Sequence, residues 1–305
     1  MRSGLFRGKL LPYLKNPWRV FYRFNYCIVS KLVPDRPFLK LMFRARLGRK
    51  LNLNNPKSFN EKMQWIKLYD RNPFYTSLVD KYEVRKFVAN SIGNKYLIPI
   101  LGIYDSFESI NFAQLPKKFV IKCTHDSGSA IICQDKSMFD IEHARKVLNK
   151  AMSTNFFYRG REWPYKNVKP RLIIEEYIAS PDNINGLIDY KLMCFSGRFE
   201  ACFVYSDRNT HTGLKMSCYD RNWKIVPVLR RYPPIERRVE KPKHYDEMIE
   251  CAEKLSSVTK FARIDFYEVN GKMYFGEITL FPASGFGMFL PEEYDRYYGD
   301  LIGLV

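Results

Sequence analysis

The sequence is poor in residues arranged for compact metal or disulfide sites. Its 305 residues include four histidines and seven cysteines, and no two cysteines form a Cys-x-x-Cys pair. A zinc cluster needs closer ligand spacing, and a disulfide framework is typical of smaller secreted chains. Cys123, Cys133, Cys194 and Cys202 lie inside apolar runs, which predicts that they are buried small hydrophobes. The histidines are expected at the surface or in hydrogen bonds.

Long apolar runs are also absent. No stretch approaches the ~20 consecutive apolar residues that a membrane-spanning helix needs. The N-terminus carries positive charges but lacks an uninterrupted apolar stretch followed by small residues, so we expect no cleaved signal peptide and a cytoplasmic location. A hydrophobic content of 46% with 27% charged residues excludes wholesale disorder and predicts a packed globular core.

Negative charge is almost missing from residues 1–50. This segment has thirteen Lys and Arg and one acid, a net charge of +12 within the +18 of the whole chain. Three cations recur every four residues beside an apolar stripe: Arg36, Lys40 and Arg44, with Leu39, Met42, Phe43 and Leu47. The pattern predicts a basic amphipathic helix starting near Pro37.

Two interpretations of this helix remain open. Five aromatic residues precede it between positions 18 and 26, and a basic amphipathic helix next to aromatics suits an anionic inner-membrane surface. The alternative is a helix that packs on the main domain and leaves its basic face in water. No motif that reads nucleic acid accompanies the charge, so we expect no nucleic-acid partner.

Beyond the basic segment the sequence predicts mixed helices and strands. Ser58 followed by Glu61 is a capping-box pattern that predicts a helix start, and a second helix is predicted over 76–92, ending at Gly93. Further predicted elements are strands over 119–123, 130–133, 172–177, 188–195, 199–205, 261–267 and 273–280, and a helix over 244–256. Short turns join several of these strands, which indicates an α+β fold with mainly antiparallel hairpins.

A first candidate site is the loop after Lys122, which contains Ser127, Gly128 and Ser129. A lysine that leads into a small-residue loop can neutralise phosphate while backbone N–H groups cradle it. The loop is not a P-loop, because that motif needs Gly-Lys-Ser/Thr at the start of a helix. An ordinary hairpin turn is the alternative.

A second candidate is the apolar strand that ends in Glu175 and Glu176. Such a strand can offer its edge and a carboxylate to an adenine amino group, with Asp182 a few residues later for a ribose. The alternative is a buried strand whose acids mark its solvent end.

The third candidate places Arg263, Asp265, Glu277 and Thr279 within two otherwise apolar strands. Unpaired charges are costly in such strands. Two carboxylates and a hydroxyl on one face would suit oxygen ligation of one or two Mg²⁺ ions at ~2.1 Å. A structural Arg–Glu pair is the alternative.

The turn between these strands decides whether the carboxylates meet. A two-residue Asn-Gly turn pairs Asp265 with Gly276 and puts Asp265 and Glu277 on opposite faces. A three-residue loop with Gly271 in the left-handed conformation would put Arg263 opposite Glu277, with Asp265 diagonal to Glu277 at about 7–8 Å. We predict the three-residue loop.

In chain order these residues resemble the motifs of ATP-grasp ligases: Lys81, Lys122 with its loop, residues 175–178, Lys191, Arg263-x-Asp265 and Glu277-x-Thr279. More narrowly, residues 55–65 and 275–279 resemble the TupA-like ATP-grasp family of bacterial surface-polysaccharide gene clusters. The resemblance runs from roughly residue 40 to the C-terminus. The order and spacing of the motifs carry it more than any single motif.

The resemblance implies an α+β ATP-grasp fold, in which two α+β subdomains grip ATP, with a basic helical N-terminal extension. It divides the chain into a basic amphipathic segment over 1–50, a helical part of the catalytic unit over 51–115, a lid subdomain over 116–178 and a C-terminal subdomain with the magnesium site over 179–305.

The resemblance also implies roles for single residues in binding ATP and Mg²⁺. The nucleotide contacts would be Lys81 and Lys122 on the phosphates, Ser127, Gly128 and Ser129 as a mobile lid, Glu175 or Glu176 with the backbone of Tyr177 and Ile178 on adenine, Asp182 on the ribose, and Lys191 nearby. Asp265 and Glu277 would bind Mg²⁺, and Arg263 would stabilise the transferring phosphoryl group. Thr279 stands where ATP-grasp enzymes commonly have asparagine, so a second metal position is less secure.

The implied activity is a carboxylate–amine ligase that forms an amide with release of ADP and phosphate, in cell-surface or capsular polysaccharide synthesis. The carboxylate would be a uronic or amino acid, and the partners an anionic glycan or lipid-linked saccharide and an amine. The Arg-, Tyr- and Pro-rich segment 209–243 would bind the acidic acceptor or be a solvated insertion. The alternatives are a glycosyltransferase, for which the usual Asp-x-Asp motif is absent, and a non-catalytic nucleotide-binding scaffold.

Overall fold

The computed structural model describes residues 30–179, 186–208, 210–211 and 213–304. The chain divides into two compact units. Unit 1 comprises Met1–Arg71, Tyr158–Glu162 and Phe281–Val305, and unit 2 comprises Asn72–Phe157 and Trp163–Leu280. The domain limits predicted near residues 50, 115 and 178 refer to ATP-grasp subdomains rather than to these units, and they stay a prediction.

The helices and strands are mixed along the chain. The α-helices are α1 Asp35–Leu47, α2 Phe59–Tyr69, α3 Tyr75–Val79, α4 Val84–Ser91, α5 Ile141–Met152, α6 Phe157–Gly160, α7 Tyr245–Ser256 and α8 Glu293–Asp300. The strands are β1 Ile100–Tyr104, β2 Phe119–Cys123, β3 Ile131–Cys133, β4 Leu172–Glu176, β5 Asp189–Phe195, β6 Arg198–Ser206, β7 Lys215–Tyr219, β8 Ile225–Val226, β9 Phe261–Val269 and β10 Lys272–Thr279. In the described part of the chain, every helix is too short or too polar to cross a bilayer.

Helix α1 confirms the basic amphipathic pattern. Its apolar stripe is buried in a cluster made of Phe38, Leu39, Met42, Phe43, Leu51 and Leu53, with Trp65 and Leu68 of α2 packed against it. The cations Arg36, Lys40 and Arg44 are exposed. The helix ends at Gly48, whose φ of 75° is left-handed. The apolar face of α1 is therefore part of the core of unit 1.

Helix α2 begins with the predicted capping box. The Glu61 N–H donates to the Ser58 hydroxyl at 3.3 Å, and the Ser58 N–H donates to the Glu61 carboxylate at 3.1 Å. The buried carboxylate of Asp295, in α8, accepts from the Asn60 N–H at 2.9 Å. Both acids satisfy N–H groups that a helix start leaves unpaired.

One buried ammonium joins the three chain segments of unit 1. Lys67 donates to the side-chain oxygen of Gln64 at 3.0 Å and to the carbonyl oxygens of Gly160 at 2.6 Å and Ser284 at 2.7 Å. Burial lowers the pKa of Lys67 to about 7, although the charge of Glu162 opposes the shift. The sequence did not single out this lysine.

The smaller sheet of unit 2 has the order β1-β4-β2-β3, and every pairing in it is antiparallel. Alternate residues of β2 and β4 face a core that includes Phe119, Ile121 and Ile174, with Leu148 of α5. The period of two therefore puts Lys122 and Glu175 together on the opposite face.

The larger sheet has the order β10-β9-β5-β6-β7-β8 and is also antiparallel. Helix α7 packs against β5, β6 and β9. Met248, Ile249, Ala252 and Leu255 of α7 recur at helical spacing and are all buried.

The helix predicted over 76–92 is interrupted. Helix α3 ends at Val79 and α4 begins at Val84, because the Asp80 carboxylate accepts from the N–H groups of Tyr82 at 2.8 Å and Glu83 at 3.3 Å. Aspartate competes with helical hydrogen bonding in this way. The elements β1, α5, α6, β7, β8 and α8 were not predicted from the sequence either.

Candidate active site

The β9–β10 hairpin has a two-residue turn, so the predicted three-residue loop was wrong. Val269 pairs with Lys272 across Asn270 and Gly271, which both have positive φ, 52° and 67°. Left-handed conformation at both central positions is the geometry that an Asn-Gly turn favours.

The two-residue turn alone would put Asp265 and Glu277 on opposite faces of the hairpin. A β-bulge later in the hairpin shifts the register and brings them to the same face. The register shifts between Phe275 and Glu277, so Gly276 is the extra residue, Asp265 pairs with Glu277, and Thr279 pairs with Arg263. The predicted pairing of Arg263 with Glu277 was therefore wrong. The two carboxylates nevertheless lie directly opposite each other on one face.

Glycine allows this bulge to form. A Cβ at position 276 would lie 3.0 Å from the Tyr267 ring and 3.1 Å from the carbonyl oxygen of Asp265. The backbone oxygen leaves little room for adjustment, so a side chain here would push the two strands apart.

The Arg263 guanidinium donates hydrogen bonds to the side chains of Asp265, Glu277 and Thr279. Its Nε donates to Asp265 Oδ1 at 2.7 Å, and its Nη2 lies 2.7 Å from Asp265 Oδ2. Nη2 also lies 3.1 Å from Glu277 Oε1 and 2.9 Å from Thr279 Oγ1. The planar guanidinium thus makes a bidentate pair with one carboxylate and contacts the second.

Lys191 of β5 places a second positive charge beside Asp265. The two residues are paired across the strands, and the Lys191 ammonium donates to Asp265 Oδ2. It also lies 3.6 Å from Asp189. Burial opposes the charged form of Lys191, but the carboxylates of Asp265, Asp189 and Glu277 together outweigh burial and raise the pKa of the lysine.

Lys81 lies in the break between α3 and α4. Its N–H donates to the Thr124 carbonyl at 3.0 Å, and its ammonium donates to the carbonyl oxygen of Asp126. Burial lowers the pKa of Lys81, while the charges of Glu277 and Asp126 oppose the shift. The lysine therefore lies between the predicted phosphate loop and the β9–β10 hairpin.

Lys122 and Glu175 form a tight ion pair on the polar face of the smaller sheet. Lys122 Nζ lies 2.5 Å from Glu175 Oε2, and Arg85 Nη1 lies 3.3 Å from Glu175 Oε1. Glu175 is buried, whereas Glu176 is exposed on the other face. A buried carboxylate between two cations is neutralised locally.

The remaining residues predicted to contact adenine and ribose follow β4. The Tyr177 hydroxyl accepts from the Gln134 amide at 3.4 Å, and Ile178 is half-buried just beyond the strand. Asp182 lies outside the described residues. Adenine binding by Glu175 or Glu176 with this backbone stays a prediction.

The loop after Lys122 is closed by its own side chains. The Ser129 hydroxyl accepts from the Cys123 N–H at 2.9 Å and donates to the Asp126 carboxylate at 2.7 Å. Gly128 has a φ of 102°, and Ser127 and Gly128 are exposed at the tip. Ser129 thus stabilises the loop, and the predicted lid role of the tip stays a prediction.

Three cations set the protonation of Glu277. Burial opposes its ionisation, but Arg263, Lys81 and Lys191 overcome burial and lower the pKa of Glu277 to about 2. The carboxylate is therefore ionised at neutral pH, as a metal ligand requires.

The donor set fits Mg²⁺ if substrate oxygens supply the rest of its ligands. Among the described residues no group of three or more His, Cys, Asp and Glu side chains is placed to hold a metal ion. Asp265, Glu277 and Thr279 offer two carboxylates and a hydroxyl, and magnesium is commonly bound by one or two carboxylates with phosphates and water. Both Asp265 oxygens are bound by Arg263 or Lys191, so Glu277 is the more accessible ligand.

Three residues of this charge network were missed in the sequence. Arg85 binds Glu175, and Arg208 binds the buried Asp189 at 2.8 Å. A signal existed for Asp189, because it stands two positions before Lys191 on one strand and so shares its face. Nothing in the sequence connects Arg85 with Glu175, because ninety positions separate them.

The sequence matches the TupA-like ATPgrasp family over residues 61–303. No curated protein matches it. Among solved structures it is similar to D-alanine–D-alanine ligase from Bacillus anthracis, at 17% identity over 72% of this chain and 59% of that chain, with a TM-score of 0.37. It is similar also to L-amino acid ligase from Bacillus licheniformis, at 12% identity over 74% of this chain and 49% of that chain, with a TM-score of 0.43.

These structural likenesses are too loose to carry an argument about activity, and the chain spans about three fifths of the length of the D-alanine–D-alanine ligase that it matches. The family match is different, because it covers well over half of the chain and includes every residue from Lys81 to Thr279 described above. The chain therefore belongs to the TupA-like ATP-grasp family, with the α+β fold of that family and with ATP and Mg²⁺ as its cofactors.

Proposed function

We propose that the protein is an ADP-forming carboxylate–amine ligase of cell-surface polysaccharide synthesis. A substrate carboxylate would take the terminal phosphoryl group of ATP, giving an acyl phosphate and ADP. An amine would then attack the acyl carbon and form the amide, with phosphate leaving. The observation that carries this proposal is the pairing of Asp265 with Glu277, together with the three cations Arg263, Lys81 and Lys191 that keep Glu277 ionised.

The side chains of the group suit phosphoryl transfer. Such a transfer needs positioning and charge neutralisation more than a protein nucleophile. Lys81, Lys191 and Arg263 supply positive charge from three different parts of unit 2, and Lys122 lies on the polar face of the smaller sheet. Bound Mg²⁺ would add charge neutralisation beside the phosphates, held by Glu277 with Asp265 and Thr279.

The resemblance to the family and the charge of the chain support the substrate class that we propose. Members of the family are expected in surface-polysaccharide gene clusters, where uronic acids and amino acids provide carboxylates. A chain of net charge +18 attracts acidic partners. An anionic glycan or lipid-linked saccharide and an amino acid or other amine are the partners that we propose.

Thermal-shift titration with Mg-ATP tests nucleotide binding at this site. We expect Mg-ATP to raise the melting temperature of the wild type and to raise it much less in Glu277→Gln. The matched control is Glu250→Gln, which removes an exposed carboxylate of α7 in the same unit. It should respond like the wild type.

Two results would contradict the proposal. A shift with UDP- or CMP-sugars but none with Mg-ATP would favour a glycosyltransferase. Binding of Mg-ATP with no ADP release, across a panel of uronic and amino acids offered with amines, would favour a non-catalytic scaffold.

A further inference from the structure

The exposed side of α1 is a basic surface, formed by Arg36, Lys40 and Arg44 at every fourth position. These positions span about 12 Å of one helix face. Lys31 and Lys50, at either end of the helix, are exposed as well. The row of cations is continuous along the helix.

The single acid of residues 1–50 does not offset this surface. Asp35 Oδ1 lies 2.9 Å from Arg161 Nε, and Asp35 Oδ2 lies 3.7 Å from Arg71 Nη2. Both arginines belong to unit 1. The carboxylate is thus neutralised within its own unit.

The apolar side of α1 is largely buried. Phe38, Leu39, Met42 and Phe43 are at most 2% exposed within the core of unit 1. A helix that inserts into a bilayer needs its apolar face free to enter the acyl boundary. Insertion of α1, one form of the interaction expected from the sequence, would require unit 1 to open.

We propose that this basic surface binds the anionic headgroups of a lipid bilayer by charge alone, without insertion of α1. A flat anionic surface complements a straight row of cations, and each Lys or Arg near such a surface strengthens binding. A membrane is favoured over nucleic acid because five aromatic residues and two arginines are grouped between positions 18 and 26. That composition is typical of lipid interfaces. The proposal does not rest on the ligase function.

Vesicle sedimentation of the full chain tests the proposal. The vesicles are phosphatidylcholine alone or phosphatidylcholine mixed with phosphatidylglycerol, at low and high ionic strength. The wild type should bind only the mixed vesicles, and high salt should release it. The triple variant Arg36→Gln, Lys40→Gln, Arg44→Gln should bind about a hundredfold more weakly, and the double variant that keeps Arg44 about thirtyfold more weakly.

The matched control removes three exposed cations of unit 2, by Lys86→Gln, Lys118→Gln and Lys146→Gln. It changes the net charge equally and should retain nearly wild-type binding. Equal losses in the two triple variants, no loss in either, or binding that high salt does not reverse would each overturn the proposal. So would a wild type that ignores anionic vesicles and binds duplex DNA. Melting temperatures close to that of the wild type would show that the variants are folded.

Discussion

A single guanidinium contacts the two carboxylates and the hydroxyl that the sequence proposed as metal ligands. Arg263 is only 16% exposed in its side chain, and Asp265 is 1% exposed. Removing one partner of such a pair leaves an uncompensated buried charge, which is far more costly than the net worth of the pair. Arg263 therefore has a structural role beside the catalytic role proposed for it.

The ionisation of Glu277 should make the unfolding free energy of the protein depend on pH. Its pKa falls from 4.5 to about 2 in the folded protein, so its ionised form stabilises the fold above pH 4.5 and that contribution is lost as the pH falls toward 2. In the nucleotide-free protein, the difference in unfolding free energy between wild type and Glu277→Gln should be constant near neutral pH. By pH 3 more than half of this difference in unfolding free energy should be lost.

Urea unfolding over a pH series measures this difference. Glu250→Gln serves as the control and should show no comparable change with pH. A difference that keeps its full size at pH 3 would mean that the three cations do not hold Glu277 ionised.

The β9–β10 hairpin is the element that assembles the site, and two irregularities fix its register. The Asn270-Gly271 turn sets one register, and the bulge at Gly276 shifts it by one residue. Since side chains alternate faces along a strand, that single residue decides whether Asp265 and Glu277 share a face.

Gly276→Ala tests the bulge. The added Cβ would lie 3.0 Å from the Tyr267 ring and 3.1 Å from a backbone oxygen, both closer than ordinary van der Waals contact, so we expect a loss of about 1–3 kcal/mol in unfolding free energy. The response to Mg-ATP should weaken as well, because the carboxylates would be displaced. Gly303→Ala is the control, since no atom lies within 4 Å of its added Cβ and its φ is not positive. A Gly276→Ala protein as stable as the control would show that the bulge does not depend on glycine.

Across the whole molecule, most of the net positive charge and the candidate site lie in different parts of the sequence. The first fifty residues hold +12 of the +18 net charge, while the candidate site in unit 2 pairs nearly every cation with a carboxylate. The six described cysteines are all buried, and none of these six forms a disulfide. Burial raises the pKa of Cys123 to about 11 and that of Cys194 to about 12.

These thiols should be unreactive in the native protein, because the thiolate is the reactive form and access is needed. With an aromatic disulfide reagent at neutral pH, at most one of the seven thiols should react quickly, and all seven should react in guanidinium chloride. Rapid reaction of two or more native thiols would contradict the buried arrangement. Adding Mg-ATP should leave the number of fast-reacting thiols unchanged.

Much of the local structure could be predicted because its causes are local. The capping box at Ser58, the strand over 119–123 and the inward face of α7 follow from a cap residue, alternation and helical periodicity. The predicted helix over 76–92 failed because Asp80 captures backbone N–H groups, and periodicity alone does not report that competition.

Residue type and spacing are enough to predict the family motifs, the order of the charged residues along the chain and the basic face of α1. The partners of those charges depend instead on how the whole chain folds. Arg85 with Glu175, Lys81 near Glu277, and Asp265 opposite Glu277 join residues that are far apart in the chain or separated by a bulge. Strand order and register bring such residues together, and both result from packing over the whole unit rather than from any short stretch of sequence.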